Sequence, residues 1–147
     1  PTRAPKQFAG TPDPAMLFDA ATLHAGLDSP ELCLIDARGP DRFRGENETI
    51  DPVGGHIPGA RNRFFKDNLE PDGRFKPAAV LRAEYLALMA GAAPAQVVAQ
   101  CGSGVSACLD LLAMEIAGLH GARLYAGSWS EWCSDPARPV ARKGSID

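Results

Sequence analysis

The sequence predicts an α/β fold: a central parallel sheet with helices on both faces. Three observations carry this. Short apolar runs with β-branched residues alternate with stretches whose apolar residues recur at helical spacing. Turn-forming Gly and Pro residues bound the runs. One run, residues 97–99, leads through a cysteine and a glycine-rich loop into a helical repeat, which is the order of a parallel-sheet unit.

The elements follow in order. Residues 1–14 hold four prolines, so residues 1–12 read as an extended arm or linker to something that precedes them. The domain proper is expected over 13–140, with 141–147 as a tail. Asp13 and Pro14 read as the N-cap and first position of a helix, with Met16, Ala20, Leu23 and Leu27 as its stripe. His24, in that helix, is expected to be partly exposed and unpaired rather than a ligand. Residues 31–36 form a buried strand ending in Asp36. Residues 46–55 are polar and read as a loop, and 61–65 as a short strand or extended lead-in. Residues 77–90 are helical, with Val80, Leu81, Tyr85, Leu88 and Met89 inward and Gly91 ending the helix. From about Val105 the next helix places Val105, Cys108, Leu109, Leu112, Ile116 and Leu119 on one face. Residues 122–125 make a last strand, and Trp129 and Trp132 follow it, either walling a pocket or, by default, covering the core. The stretch from Asp135 is expected to have no core role.

Composition narrows the function. With 147 residues, 45% of them hydrophobic, one domain with a substantial core is expected. A net charge of −3 does not suggest a nucleic-acid surface. No apolar run approaches ~20 residues, so no membrane span is expected, and no signal peptide is visible. Cys33, Cys101, Cys108 and Cys133 form no C-x-x-C pair and match no common zinc spacing. They read as thiols of a reducing compartment, hence a cytoplasmic protein with no metal or organic cofactor.

Cys101 stands where a strand's carboxyl end meets a helix's amino end, the edge at which open α/β sheets bind ligands. Amides in a helix's first turn lack partners inside the helix and favour negative charge there. Gly102 and Gly104 permit φ > 0 and remove Cβ atoms from such a cradle. A nucleophilic thiolate fits this place, and so does a small buried hydrophobe, the commoner fate of a free cysteine. Ser103 and Ser106 read either as helix caps or as donors to a substrate. Arg38 or Arg42 would reach an anion near the thiolate if strand 31–36 lies beside strand 97–99. One of them, Arg38 by preference, is expected instead to pair with Asp36 or Asp41. Asp36 reads as a loop-fixing acceptor rather than a base. His56 is expected to be structural, bonded to backbone, because nothing in the sequence sets it beside Cys101.

Asp36-Ala-Arg, the Gly-His-Ile-Pro-Gly-Ala of residues 55–60, the Cys-Gly-Ser-Gly-Val-Ser of residues 101–106 and the Gly-Ser-Trp-Ser-Glu-Trp of residues 127–132 together resemble the rhodanese family of sulfurtransferases. The likeness runs from about Pro12 to Pro139 and is greatest to the C-terminal, catalytic half of two-domain thiosulfate or mercaptopyruvate sulfurtransferases. The resemblance implies a rhodanese-like fold and a partner N-terminal rhodanese-like domain beyond the proline-rich arm. It implies that Cys101 takes a sulfur from a small donor as a persulfide and passes it to cyanide or a thiol. The amides of Gly102, Ser103, Gly104, Val105 and Ser106 would cradle that sulfur. Arg42 would bind the donor's anionic group, with Arg38 also on the substrate side. Asp36, His56 and Trp129 would shape the site.

Donor choice stays open between the two. Thiosulfate enzymes of the family carry cationic residues after the cysteine, where this chain has Gly102 and Ser103. A neutral loop suits a monoanionic keto acid, and Ser103 would then help to protonate the leaving enolate. Two positions depart from the mercaptopyruvate pattern: residues 46–54 lack its second arginine, and Ser106 replaces the usual Thr. Phosphatases of the same fold need an arginine six residues after the cysteine, where this chain has Ala107. A non-enzymatic rhodanese-like interaction module is the alternative, and the presence of Cys101 argues against it.

Overall fold

The computed structural model describes Gln7 and residues 9–142. Five parallel strands form one sheet: β1 (Leu17–Phe18), β2 (Cys33–Asp36), β3 (Arg61–Asn62), β4 (Val97–Gln100) and β5 (Arg123–Tyr125), in the order β1-β5-β4-β2-β3. The helices are α1 (Ala20–Ala25), α2 (Pro40–Phe43), α3 (Ala78–Met89), α4 (Ala107–Ile116) and α5 (Ser128–Ser134). This is the predicted α/β fold.

β2 and β4 are buried along their whole length. Successive side chains of a strand point to opposite faces. So Cys33, Ile35 and Val97 enter one core with Leu81, Tyr85 and Met89 of α3 and Ala113 and Met114 of α4. Leu34 and Val98 enter the other, with Leu23, Ile57, Tyr125, Trp129 and Trp132. β2 and β4 pair in register over four residues, Cys33 with Val97 through Asp36 with Gln100. From β2 the chain moves outward to β3 and then returns to the other side of β2 as β4. The carboxyl ends of β2 and β4 therefore flank a switch in strand order, where a crevice opens.

Four expectations need correction. The helix expected from Asp13 is split. Asp13 caps only a 3-10 turn, Pro14–Met16, then Leu17 and Phe18 pair with β5, and Asp19 caps α1 through the Thr22 amide. Two Asp caps six residues apart and an open sheet edge won over the apolar period. On α4 the expected stripe lies largely outside: Val105, Cys108, Leu112 and Ile116 are exposed. The inner face is Ala107, Asp110, Ala113 and Met114, whose small alanines suit close packing on the sheet. On α3 Val80, expected inward, is exposed, while the helix ends as expected, at Ala90 (φ 50) followed by Gly91 (φ 95). Finally, the stretch after Asp135 does have a core role. Ala141 is buried and forms a two-way backbone bridge with His56, and Pro139 O accepts from Trp132 Nε1. Ala141 is the first residue of the expected tail. Of the expected arm, residues 1–6 and Phe8 lie outside the described residues, as do 143–147 of the tail. No helix among the described residues is long and apolar enough to cross a membrane.

Candidate active site

Cys101 follows β4 directly and is 3% exposed. The turn after β5 clamps it from behind. Its N–H donates to Ser128 Oγ (3.0 Å), and its carbonyl accepts from Trp129 N–H (3.0 Å). Gly102 O accepts from Ser130 N–H (3.0 Å). Ser128 is itself held in the left-handed region (φ 55), its hydroxyl donating to Tyr125 O. Bonds on both sides of that hydroxyl keep a non-glycine residue in a costly conformation.

Beyond Cys101 the picture changes. Among the described residues, none of the amides from Gly102 to Ser106 has an intramolecular acceptor. Ser106 sits at the N-cap of α4 yet makes no capping hydrogen bond. A run of free amides at a helix start is an anion cradle. Its curvature depends on Gly104, whose φ is +81 and where a Cβ would stand 2.6 Å from Ala126 O. Gly104→Ala is expected to destabilise the fold by about 1–3 kcal/mol. It should also lower turnover by opening the loop. Thermal melting and steady-state rates measure both, and an unchanged melting point would contradict the strain argument.

The cradle opens into a cavity of about 370 Å³. Cys101, Gly102, Ser103 and Ser106 form its floor. Phe64 and Phe65, which follow β3, form one wall. Arg42, Ile50, Asp51 and Ser130 line it as well. Gly104 and Val105, expected at the substrate, do not line it, and the Val105 side chain is 72% exposed.

The two arginines have different fates. Arg38 is buried and grips Asp36 through Nε and Nη2, the latter at 2.7 Å, and it also donates to Gly55 O. Its guanidinium stacks 4.6 Å over the Trp129 ring. Asp36 Oδ1 also accepts from the Arg38 amide, fixing the turn after β2. Arg38 is thus held by Asp36 and the Gly55 carbonyl, the pairing expected of it, with Nη1 3.6 Å from Glu48, and it lines the cavity beside Arg42. The Arg42 guanidinium lies over the loop: a methyl on Gly102 would be 3.6 Å from its Nη1. Nε and Nη2 are taken by Glu48, at 3.2 and 2.8 Å, and Nη2 also reaches Asp51 at 3.3 Å. Burial works to raise the Glu48 carboxyl. Hydrogen bonds from Arg42 and the Ile50 and Asp51 amides outweigh it and hold the group below its ordinary value. Nη1 is left for a ligand.

His56 stands apart from Cys101's cavity. Its ring stacks on Phe43 (centroids 3.8 Å apart), and Nδ1 lies 2.7 Å from Phe43 O. A carbonyl only accepts, so Nδ1 carries the proton. His56 thereby holds the end of the helix that carries Arg42. Trp129 is fully buried and donates from Nε1 to Val53 O. His24 is exposed, with an edge contact to Trp132 (5.7 Å). No group of three His, Cys, Asp or Glu among the described residues is placed to hold a metal ion.

Sequence reasoning missed Glu48, Asp51, Ser128 and Ser130. The carboxylates lie in a stretch read only as a polar loop. Their number after Arg42 was the available signal, but their partners are set by folding.

The family model for the rhodanese-like domain matches residues 19–135. A probable 3-mercaptopyruvate sulfurtransferase of Pseudomonas aeruginosa is 56% identical over 137 residues, covering 93% of this chain and 48% of that protein. The human 3-mercaptopyruvate sulfurtransferase is 35% identical over 131 residues, 88% of this chain and 44% of that protein. Among solved structures, Tum1 from Saccharomyces cerevisiae superposes with a TM-score of 0.73 at 27% identity, covering 87% of this chain and 47% of that one. The chain spans about half the length of these relatives. With the fold, the cysteine loop and the matched span in agreement, the chain belongs to the rhodanese-like domain family.

Proposed function

We propose that this domain is the sulfur-carrying domain of a sulfurtransferase, with Cys101 as carrier. The observation that carries the reading is the run of unpartnered amides from Gly102 to Ser106 beside a cavity that also meets Arg42. The Cys101 thiolate attacks the outer sulfur of the donor. With mercaptopyruvate the C–S bond breaks, and its electron pair leaves as the pyruvate enolate while the S–S bond of the persulfide forms. With thiosulfate the S–S bond breaks, and sulfite leaves with the pair. Cyanide or a thiol then attacks the terminal sulfur and restores the thiolate. The cradle amides stabilise the negative sulfur throughout, at no cost of reorganisation. Arg42 Nη1 binds the donor's anionic group. Ser103, exposed and lining the cavity, would help to protonate the enolate. A cytoplasmic setting, where thiol acceptors are reduced, suits this chemistry.

The relatives named as mercaptopyruvate sulfurtransferases support that donor, as does the neutral loop after Cys101. A second rhodanese-like domain, of the kind that would make up the other half of such relatives, is the proposed covering partner of the cleft. Intact-mass spectrometry after incubation with each donor tests the reading. A gain of one sulfur atom on Cys101, removed by cyanide, is expected. No adduct with either donor would instead leave an interaction module.

A further inference from the structure

The cluster around Arg42 holds more carboxylates than arginines. Arg38 pairs with Asp36 at 2.7 Å and reaches Glu48 at 3.6 Å, while Arg42 pairs with Glu48 at 2.8 Å and with Asp51 at 3.3 Å. Glu48 and Asp51 differ in what else they do. Glu48 is withdrawn into its loop: one oxygen accepts from the Ile50 and Asp51 amides, and the residue does not line the cavity. Asp51 does line it. Its Oδ1 accepts from Ser130 Oγ at 2.6 Å and its Oδ2 lies 3.3 Å from Arg42 Nη2. Both contacts hold the carboxylate at the cleft wall, its side chain only 7% exposed. A charge so enclosed is poorly screened by solvent ions.

A ligand anion that reaches Arg42 Nη1 therefore meets one positive and one nearby negative group. For a monoanion the arginine and the free amides suffice. A dianion brings a second charge against Asp51. We propose that Asp51 is a specificity-determining residue, which biases the donor site towards monoanions and against dianions. This rests on the sulfurtransferase reading for its consequence in catalysis, though the charge preference belongs to the cleft itself. Thiosulfate carries the second charge; mercaptopyruvate does not.

Asp51→Asn removes the charge and keeps an oxygen to accept from Ser130. The ratio of kcat/KM for thiosulfate to that for mercaptopyruvate is expected to rise about tenfold, with Asp51→Glu restoring the original ratio. A merely structural role would move both donors together and leave the ratio unchanged, which would overturn the proposal. A second measurement involves no sulfur transfer: protection of Cys101 from iodoacetamide by sulfate and by pyruvate. Sulfate is expected to protect about tenfold more effectively in Asp51→Asn than in the unmodified protein, relative to pyruvate. Equal relative protection in the two would also overturn the proposal. If the protection contrast holds while neither donor loads Cys101, the charge selectivity stands and the sulfurtransferase reading fails.

Discussion

Replacing Cys101 with Ala is expected to lower sulfur transfer by about 10⁴-fold or more with either donor, to background. The size follows from the role. In the proposed cycle the thiolate is the nucleophile of the first step and the leaving group of the second, so no partial function survives its loss. Neighbouring thiols offer no substitute. Cys33 and Cys133 are buried and do not line the cleft, and burial pushes both thiols up. Cys108 is exposed, but its Sγ lies 3.4 Å from Gly104 O on the outer side of the loop. The cradle should survive the substitution, because Cys101 is clamped by its backbone N–H and C=O, which alanine keeps. Steady-state rates and intact mass check this together. A variant that keeps more than about one hundredth of the turnover would remove Cys101 from the mechanism.

The part of this site that local chemistry dictates was legible in the sequence. A buried apolar run, a cysteine and two glycines specify β4 and its loop with few long-range terms. Asp36 and Arg38 are two residues apart, so their pairing was also a local inference. What depended on the fold was not legible. The apolar count on α4 pointed to Val105, Cys108, Leu112 and Ile116, yet these face outward. The helix packs instead through alanines and a carboxyl group, Asp110, whose partner Asn68 is 42 residues away. Asp51 is likewise read as loop until Ser130, 79 residues on, is brought against it. The Ser128 hydroxyl reaches Cys101 across 27 residues. Residues that position or tune the cysteine come from other strand ends, and topology rather than spacing brings them there.

Asp110 carries the second large expectation, and it concerns stability. The residue is fully buried one turn into α4. Its Oδ1 accepts from Asn68 Nδ2 at 2.6 Å, while Oδ2 is buried without a partner. Burial pushes its carboxyl up to about 7, with Asp36 adding to the rise and the Asn68 bond and Arg63 opposing it. The folded state therefore keeps a proton that the unfolded chain gives up near its ordinary value of 3.8. Stability falls as pH rises wherever the native state binds more protons. So the penalty from Asp110 is absent below about pH 4, grows through the interval, and is complete above about pH 7. Asp110→Asn mimics the protonated acid, since both put a donor hydrogen at the unpartnered position. The variant should match the unmodified protein near pH 4 and exceed it by up to about 4 kcal/mol at pH 8. Denaturant unfolding of both proteins across that range isolates the effect, because every other titrating group cancels in the difference. The consequence reaches the cleft. Asn68 Nδ2 donates to Phe65 O as well as to Asp110, and Tyr85 and Arg63 both donate to Asn68 Oδ1. One amide side chain thus ties the aromatic wall of the cavity to α3 and α4, and it does so against a carboxyl group that ionises near neutral pH. A stability difference that stays flat from pH 4 to pH 8 would show that Asp110 does not titrate in this interval.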